Sequence, residues 1–600
     1  MPPRRSARPK ATVAAESAAE VPATPPPKKA RGKKRARSPS DDEGGAGADQ
    51  PAKKAQAVGD GMPRRKDGTA FIVPVDPSFG NALGVQVYVD GKGEVYDAML
   101  NQTNAGSNNN KFYILQLLHP KGDTSNVILF TKWGRVGENG ATQMKGPWDA
   151  DQAVKEFCKQ FKSKAAADFS KRRTMIPKAG KYTWLEREYE DEGAAPKTVS
   201  PKKKNGNLVV EEDLVIPDST LPAEVQDLVR FIFDKSHMNA TLQALNYDAN
   251  KLPLGKLGES TITAGFQALK DLAEVIETPN GERSKGLGGF KNATEQLTNR
   301  FYTVIPHAFG RKRPPIIDSL PMVKNEIDLL DSLSDMEIAT KITLSSTPKD
   351  EDGKPINPLD VQFASLGLEE LSLVDPKSDE FKAVDKYSHN TNEGLGYQTV
   401  NEGMKVHRVF RVERKGELAR FESGGWNDFE GERMLLWHGS RTTNFVGILS
   451  TGLRIAPPEA PVTGYEFGKG VYFGDMFGIS ANYTHFYLSN NMGILLLCEV
   501  VAKPFHEAYE FDFHADKTSK GNQKIATKAL GKLQHEDWID AGDTLGRDDL
   551  KGCIMPGGKA KDLSSTFPRP SVKVEDCWNE YIIYDVSQVK IRYLLQVQFK

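Results

Sequence analysis

Cysteine is scarce: four residues in a chain of 600, Cys158, Cys498, Cys553 and Cys577, none of them in a C-x-x-C spacing. Neither a zinc module nor a disulfide framework is supported, and a reducing compartment is implied. Long apolar runs are missing too. None approaches the ~18 residues that a membrane span needs, and the Pro-, Arg- and Ala-rich N-terminus has no apolar signal core. The expectation is a chain with no membrane partner and no metal. No G-x-G-x-x-G follows a strand and opens a helix, which argues against a dinucleotide-binding hydride-transfer fold. "GYEFGKG" has too short a glycine spacing, and lacks the Ser/Thr after its lysine, for a phosphate loop. Net charge is absent as well, since 80 basic residues face 80 acidic ones. That balance hides an asymmetry: residues 1–66 hold 16 Lys/Arg against 7 Asp/Glu, so a basic tail precedes a mildly acidic body.

What is present divides the chain. Residues 1–75 are built of Pro, Ala, Gly, Ser and cations, cannot bury enough surface to offset chain entropy, and are expected to be disordered. Within them "KKARGKKRAR", with Lys28, Lys29, Lys33, Lys34 and Arg35, reads as a nuclear-import signal or phosphate-binding patch, or as a solvated linker. From 80 to 190, short β-prone runs such as "KFYILQLL" and "NVILFTKWGRVG" precede the amphipathic "DADQAVKEFCKQFKSKA", which predicts a small α+β module. A charged linker spans 191–211. Helical periodicity then recurs over 212–347, beginning with "STLPAEVQDLVRFIFD", where Pro222 is placed in the first turn behind a Ser/Thr cap and Val225, Leu228, Val229 and Ile232 share a face. This region reads as an all-α bundle. Residues 360–600 carry "HRVFRVER", "MLLWHG", "GVYFGD", "GILLLCEVVA", "YIIYD" and "VKIRYLLQVQF" between Gly-rich loops, a mixed β-rich body. The fold class is multidomain α+β.

Reactive groups concentrate in that last body. His438-Gly439-Ser440 ends a hydrophobic run, and Arg441 and Arg454 follow. Tyr465, Tyr472, Ser480 and Tyr483 lie in "GYEFGKGVYFGDMFGISANY", and Glu580 precedes an apolar strand in "CWNEYIIYD". Glycine beside polar residues permits close backbone approach by a ligand. Tyrosines in Gly-rich loops supply flat walls with hydroxyl handles. Together they suit a planar heterocycle attached to a sugar. Taken singly, His438 is equally a satisfied core histidine, Glu580 a solvated strand-end carboxylate, and either tyrosine a packing residue.

"LLWHGSRTTNFVGILSTGLRIAPPEAPVTGYEFGKGVYFGDM", with "SANY" and "NEYIIYD", closely resembles the catalytic domain of the poly(ADP-ribose) polymerases, whose signature is a His-Tyr-Glu triad. "LTNRFYTVIPHAFGRKRPP" resembles the family's regulatory helical domain, and "TKWGRVGENG" its DNA-sensing WGR module. The order of tail, WGR, helical and catalytic parts is similar to the shorter DNA-dependent members, with no counterpart of the zinc fingers or BRCT module of the longest. The resemblance implies a triad of His438, Tyr472 and Glu580 acting on NAD+. Gly439 would hold the nicotinamide carboxamide with help from Ser440, Tyr483 would stack on the ring, Tyr472 would line its other side, and His438 would hold a ribose hydroxyl. Tyr465 and Ser480 join the NAD-binding set, with Arg454 and Asp335 near the adenosine end. One departure stands out: close relatives carry a lysine where this chain has Ile479.

A single glutamate suffices for such chemistry. Nicotinamide leaves NAD+ as a neutral base, so no general acid is needed, unlike glycosidases with their two carboxylates. A carboxylate on the ribose 2′-hydroxyl stabilises the oxocarbenium-like transition state, and could polarise the 2′-hydroxyl of an acceptor ADP-ribose. Trp133, Arg135, Lys111 and Tyr182 combine rings and cations that suit a broken DNA end, or else a buried tryptophan with surface cations. The expected function is a nuclear, DNA-break-activated ADP-ribosyltransferase that builds poly(ADP-ribose) on itself and on proteins such as histones, with an accessory protein completing the site for some acceptors. Mono-transfer, or a DNA-end-binding scaffold, are the alternatives. The helical bundle is expected to cover the NAD cleft until DNA is engaged.

Overall fold

A computed structural model describes residues 71–80, 84–178, 180–187, 189–191, 203–204, 207–208, 216–247, 257–343, 354–392, 403–427, 432–567 and 578–600. The basic tail with its import cluster, and most of the 191–211 linker, lie outside the described residues. Among the described residues no helix is long and apolar enough to cross a membrane, and Cys158, Cys498 and Cys553 are free thiols.

The first module is an antiparallel sheet. Its strands are β1 (Val85–Val87), β2 (Asp97–Asn104), β3 (Asn109–Pro120), β4 (Val127–Arg135), β5 (Ala141–Trp148) and β6 (Thr183–Leu185). They run in the order β5-β4-β3-β2-β6, with β1 on the far end of β3. Strand β3 is buried almost continuously rather than alternately, because both faces of the sheet are covered. One face takes helix α1 (Ala150–Ala165), whose Ala153, Phe157, Phe161 and Ala165 are buried at i, i+4 spacing. Asp149 caps it by accepting from the Gln152 N–H at 2.9 Å. The other face contributes Met99, Phe112 and Ile114 to the core of the helical region.

In that region α2 (Ala223–Ile232) buries Val225, Leu228, Val229 and Ile232, the face that periodicity predicts. Two details differ from expectation. Pro222 is itself the N-cap, while the Ser219 and Thr220 hydroxyls donate to Asp360 instead of capping the helix. Moreover, the apolar face of α2 joins the core of the catalytic sheet, with Phe410, Met434 and Leu436, rather than the bundle. The bundle core forms from α3 (Glu259–Glu277), α4 (Phe290–Val304) and α5 (Leu320–Thr343), through Leu269, Leu272, Phe301, Ile327 and Leu330.

The last body centres on one large sheet. The strands used below are β7 (Leu368–Leu373), β8 (Lys405–Arg414), β9 (Arg433–Ser440), β10 (Val471–Gly474), β11 (Met492–Val501), β12 (Phe505–Ala508), β13 (Ala526–Ala529), β14 (Glu580–Ile583) and β15 (Val589–Gln598). Their order is β7-β8-β15-β11-β9-β10-β14-β13-β12. Strands β11 and β15 are buried along nearly their whole length, which makes them the rigid centre beside which β9 presents its mouth.

Candidate active site

Strand β9 runs from core to mouth: Met434 to Trp437 are buried, and His438 to Ser440 are half-buried. Trp437 pairs with Gly474 of β10, and Gly474 pairs in turn with Glu580 of β14. Three adjacent strands therefore bring His438, Tyr472 and Glu580, far apart in sequence, into one neighbourhood.

His438 Nδ1 lies 2.9 Å from the Tyr472 carbonyl oxygen. A carbonyl only accepts, so Nδ1 carries the proton and Nε2 keeps its lone pair. Enclosure by protein pushes the imidazole pKa below its ordinary value, opposed by that same carbonyl. His438 is thus a neutral ring offering an acceptor, suited to a sugar hydroxyl. The Tyr472 hydroxyl donates to the Gly468 carbonyl at 2.8 Å and accepts from the Phe467 N–H at 3.0 Å, and burial raises its pKa. With its oxygen committed to the loop, Tyr472 is a fixed aromatic wall and not a proton carrier.

Gly439 is required by close approach: a Cβ there would stand 1.7 Å from the Ser480 carbonyl oxygen. Ser440 Oγ accepts from Asn444 Nδ2 at 3.0 Å, leaving its own proton to donate. Tyr483 is exposed and Glu580 half-buried. Both line a cavity of about 210 Å3 with Ile479, Trp578, Glu466 and Tyr509. Pockets for whole drug-sized ligands run to roughly 300–1,000 Å3, so this one holds a single ring more readily than a dinucleotide. Ile479 packs with Met476, Leu533 and Trp578. Its Cγ2 fills the space a Cβ on Gly474 would need, at 2.5 Å. That wall of the cavity is apolar.

Helix α5 closes the Arg454 side. Asp335 pairs with Arg454 and also stands where a Cβ on Gly447 would be. Ile327 presses on Gly464, Lys324 Nζ sits 5.1 Å from the Tyr465 ring centroid, and Asp328 is 3.8 Å from Arg441. The Tyr465 hydroxyl is buried with no hydrogen-bond partner. Burial pushes the Asp335 carboxyl up to about 7, against the pull of Arg454, and Asp331 up to about 6.

The four DNA candidates separate. Lys111 is exposed and lies opposite Arg135 in the sheet register. Trp133 stacks on Tyr113 with centroids 5.9 Å apart, and Tyr182 meets that same ring edge-on. Arg135, in contrast, donates to Asn108 (2.8 and 2.9 Å) and to the carbonyls of Lys312 (2.8 Å) and Gly310 in the helical region. It joins two modules. Residues that sequence reasoning missed share one character, being polar groups inside the protein. Asn101 and Asn110 donate to the carbonyls of Tyr302, Thr303 and His307, and Asp475 is fully buried beside Glu580. Only Asp475, just past the end of an apolar strand, breaks an apolar run; Asn101 and Asn110 sit among other polar residues and give no such signal. Among the described residues, no group of three or more His, Cys, Asp or Glu could hold a metal ion.

Comparison with known proteins agrees with this geometry. Family models match in chain order: a WGR domain at residues 96–175, the poly(ADP-ribose) polymerase regulatory domain at 219–363 and the poly(ADP-ribose) polymerase catalytic domain at 378–599. Poly [ADP-ribose] polymerase 2 of Arabidopsis thaliana is 39% identical over 513 residues, covering 84% of this chain and 73% of the relative. The human protein of the same name is 37% identical over 532 residues, covering 88% and 83%. Poly [ADP-ribose] polymerase 1 of Gallus gallus is 35% identical over 533 residues, covering 88% of this chain and 47% of the longer relative. DNA binding and transfer to protein acceptors follow at the family level. The sheet that carries His438, Tyr472 and Glu580 is thus the catalytic domain of an NAD+-consuming ADP-ribosyltransferase, and the chain belongs to the poly(ADP-ribose) polymerase family.

Proposed function

We propose that this chain builds poly(ADP-ribose) in response to broken DNA, with Glu580 as the group that permits elongation. The reading rests on one observation above others: Glu580 opens β14 at the wall of the cavity, directly across Gly474 from the strand that carries His438. Nicotinamide stacks on Tyr483 against Tyr472, held through Gly439 and the Ser440 and Ser480 hydroxyls. His438 Nε2 accepts from a ribose hydroxyl. As the C1′–N bond breaks, its electron pair leaves with neutral nicotinamide. The Glu580 carboxylate stabilises the positive charge on the sugar. The acceptor oxygen closes the new C1′–O bond, and its proton passes to Glu580 and on to water. Arg454, Tyr465 and Asp335 mark the adenosine side.

Residues 80–190 form the DNA-end-binding module, 212–347 the restraint on the cleft and 360–600 the catalytic body. Lys111, Trp133, Arg135 and Tyr182 are the DNA-side set, Arg135 acting from the seam. The cluster Lys28, Lys29, Lys33, Lys34 and Arg35 directs the protein to the nucleus, where its acceptors are itself and basic chromatin proteins such as histones. A serine acceptor needs a base that an accessory protein supplies. The test is Glu580→Gln in the full chain, with labelled NAD+ and nicked DNA. Polymer disappears while some nicotinamide release persists. A ladder of unchanged length would refute the assignment.

A further inference from the structure

The side chain of Asp475 has no accessible surface, and its position is set by β10, which ends at the preceding Gly474, the residue paired with Glu580. Its Oδ2 accepts two hydrogen bonds, from Asn579 Nδ2 at 2.8 Å and from the Tyr581 hydroxyl at 3.1 Å. Those donors are the residues immediately before and after Glu580. In a strand, successive side chains point to opposite faces, so Asn579 and Tyr581 are tied down on one face while Glu580 is presented on the other. The tie is itself braced. Asn579 Oδ1 accepts from the Gly531 N–H at 3.0 Å and from Gln534 Nε2 at 2.5 Å, and a Cβ on Gly531 would stand 2.1 Å from the Trp578 carbonyl carbon. The Tyr581 phenol is held protonated, and so a donor, by burial and by Asp475.

A fully buried carboxylate is costly unless donors compensate it, and here Oδ1 has no hydrogen-bond partner. That unpartnered oxygen is a cost that packing alone does not call for. The arrangement serves a different end: one oxygen grips a strand on both sides of a single residue and fixes the roll of the backbone there. Rotation of β14 about its axis would swing the Glu580 carboxylate away from the sugar; the ladders to β10 and β13 resist it along the strand, and the grip on both flanks of Glu580 adds to them at the end where β14 begins.

We propose that Asp475 is a positioning residue that acts through Glu580, with Asn579 and Tyr581 as its two handles. The inference rests on the role given above to Glu580. Misplacement by ~1 Å can cost up to ~100-fold in rate, so loss of one of two handles is expected at about tenfold. The variant is Tyr581→Phe, which deletes one hydroxyl and keeps the ring, studied in the full chain with nicked DNA and labelled NAD+. Nicotinamide release falls about tenfold in kcat with KM for NAD+ unchanged, and polymers shorten. Asp475→Asn, which keeps an acceptor oxygen but loses the charge, falls between wild type and Tyr581→Phe. The deciding measurement combines Tyr581→Phe with Glu580→Gln. If the clamp acts through Glu580, the double variant releases nicotinamide at the rate of Glu580→Gln alone. If Tyr581→Phe lowers that residual rate by the same factor as in wild type, or raises KM instead of lowering kcat, Asp475 is merely structural and the proposal is overturned. Failure of the Glu580 reading itself is separately visible, as wild-type polymer from Glu580→Gln alone.

Discussion

Asn101 offers a sharp test of how the DNA-binding module speaks to the helical region. It is fully buried in the middle of β2, and its Nδ2 donates to the carbonyls of Tyr302 and Thr303 at the end of α4, both at 3.0 Å. Asn101→Ala removes both bonds at once. The Tyr302 carbonyl keeps the Thr103 hydroxyl as a donor at 3.1 Å, whereas the Thr303 carbonyl loses the amide that reaches it. A buried carbonyl left without its partner costs about 1–3 kcal/mol. The asparagine's own Oδ1 is already buried and unpartnered, so its removal gives a little back. A net loss of about 2 kcal/mol follows, equivalent to about thirtyfold in an equilibrium constant. If that contact couples the two modules, the ratio of activity with nicked DNA to activity without it falls by up to this factor. Affinity for the DNA stays the same or improves, because energy no longer passes from the DNA site into opening the helical region. Labelled-NAD+ turnover with and without DNA, and fluorescence anisotropy on the same nicked duplex, give both numbers. Weaker DNA binding with an intact activation ratio would show that Asn101 only stabilises its own module, and would refute the coupling.

Other expectations follow from the same geometry. Gly439→Ala puts a methyl 1.7 Å from the Ser480 carbonyl, so binding of nicotinamide-like inhibitors falls by at least about tenfold in calorimetry while DNA binding is untouched. Deleting 212–347 strips α2 from the catalytic sheet and leaves Phe410 and Leu436 uncovered. That product aggregates on size exclusion more than a deletion of 257–343, which keeps α2 on the sheet although it too uncovers Met99, Phe112 and Ile114 of the first module; the shorter deletion is active without DNA. The pH dependence has a fixed sign. Docking of α5 raises Asp335 to about 7, so the docked state binds the proton more tightly than the undocked one. Closure is therefore strongest below the ordinary carboxylate range and is lost as pH rises through about 7. DNA-independent activity, as a fraction of the DNA-stimulated rate, climbs from pH 5 to 8, and Asp335→Asn flattens the climb. Arg454 and Asp331 face Asp335; Lys324, Asp328, Arg454 and Arg441 face Asp331, which is raised for the same reason and adds to the slope in the same sense.

Local pattern carried most of the architecture. The i, i+3, i+4 spacing of Val225, Leu228, Val229 and Ile232 announced both the helix and its buried face, yet not the surface that buries it, because an apolar stripe records hydrophobicity and not its partner. The residues proposed to face the ligand stood out for another reason. His438, Gly439 and Glu580 interrupt apolar runs, and such breaks are tolerated where a ligand replaces water. Elsewhere the sequence is less informative. Asn101 and Asn110 carry no such mark in the sequence, yet both faces of their sheet are covered and they donate to carbonyls at and just beyond the end of α4. Arg135 reads as a surface cation for phosphate, although its planar fork serves equally well to gather two oxygens of Asn108 and two carbonyls across the seam. Asp475 lies one residue past a strand, where nothing in the sequence singles it out as buried. Only the register that sets Gly474 beside Glu580 reveals its place.

The contacts of the helical region explain why a signal at the DNA module would be felt at the cleft. Met99, Phe112 and Ile114 of the first sheet, the bundle residues Phe301, Ile327 and Leu330, and Ala460 of the catalytic body belong to one continuous apolar core. Close-packed cores do not deform gradually; they shift between discrete arrangements. The polar ties at its two ends differ in kind. Toward the DNA module they combine buried amide-to-carbonyl bonds from Asn101 and Asn110 with guanidinium-to-carbonyl bonds from Arg135. Toward the cleft, α5 relies on Asp335 and Asp331, whose burial is unfavourable enough to raise both carboxyls. Undocking at the cleft end returns two carboxyls to water, which offsets part of the cost of opening there.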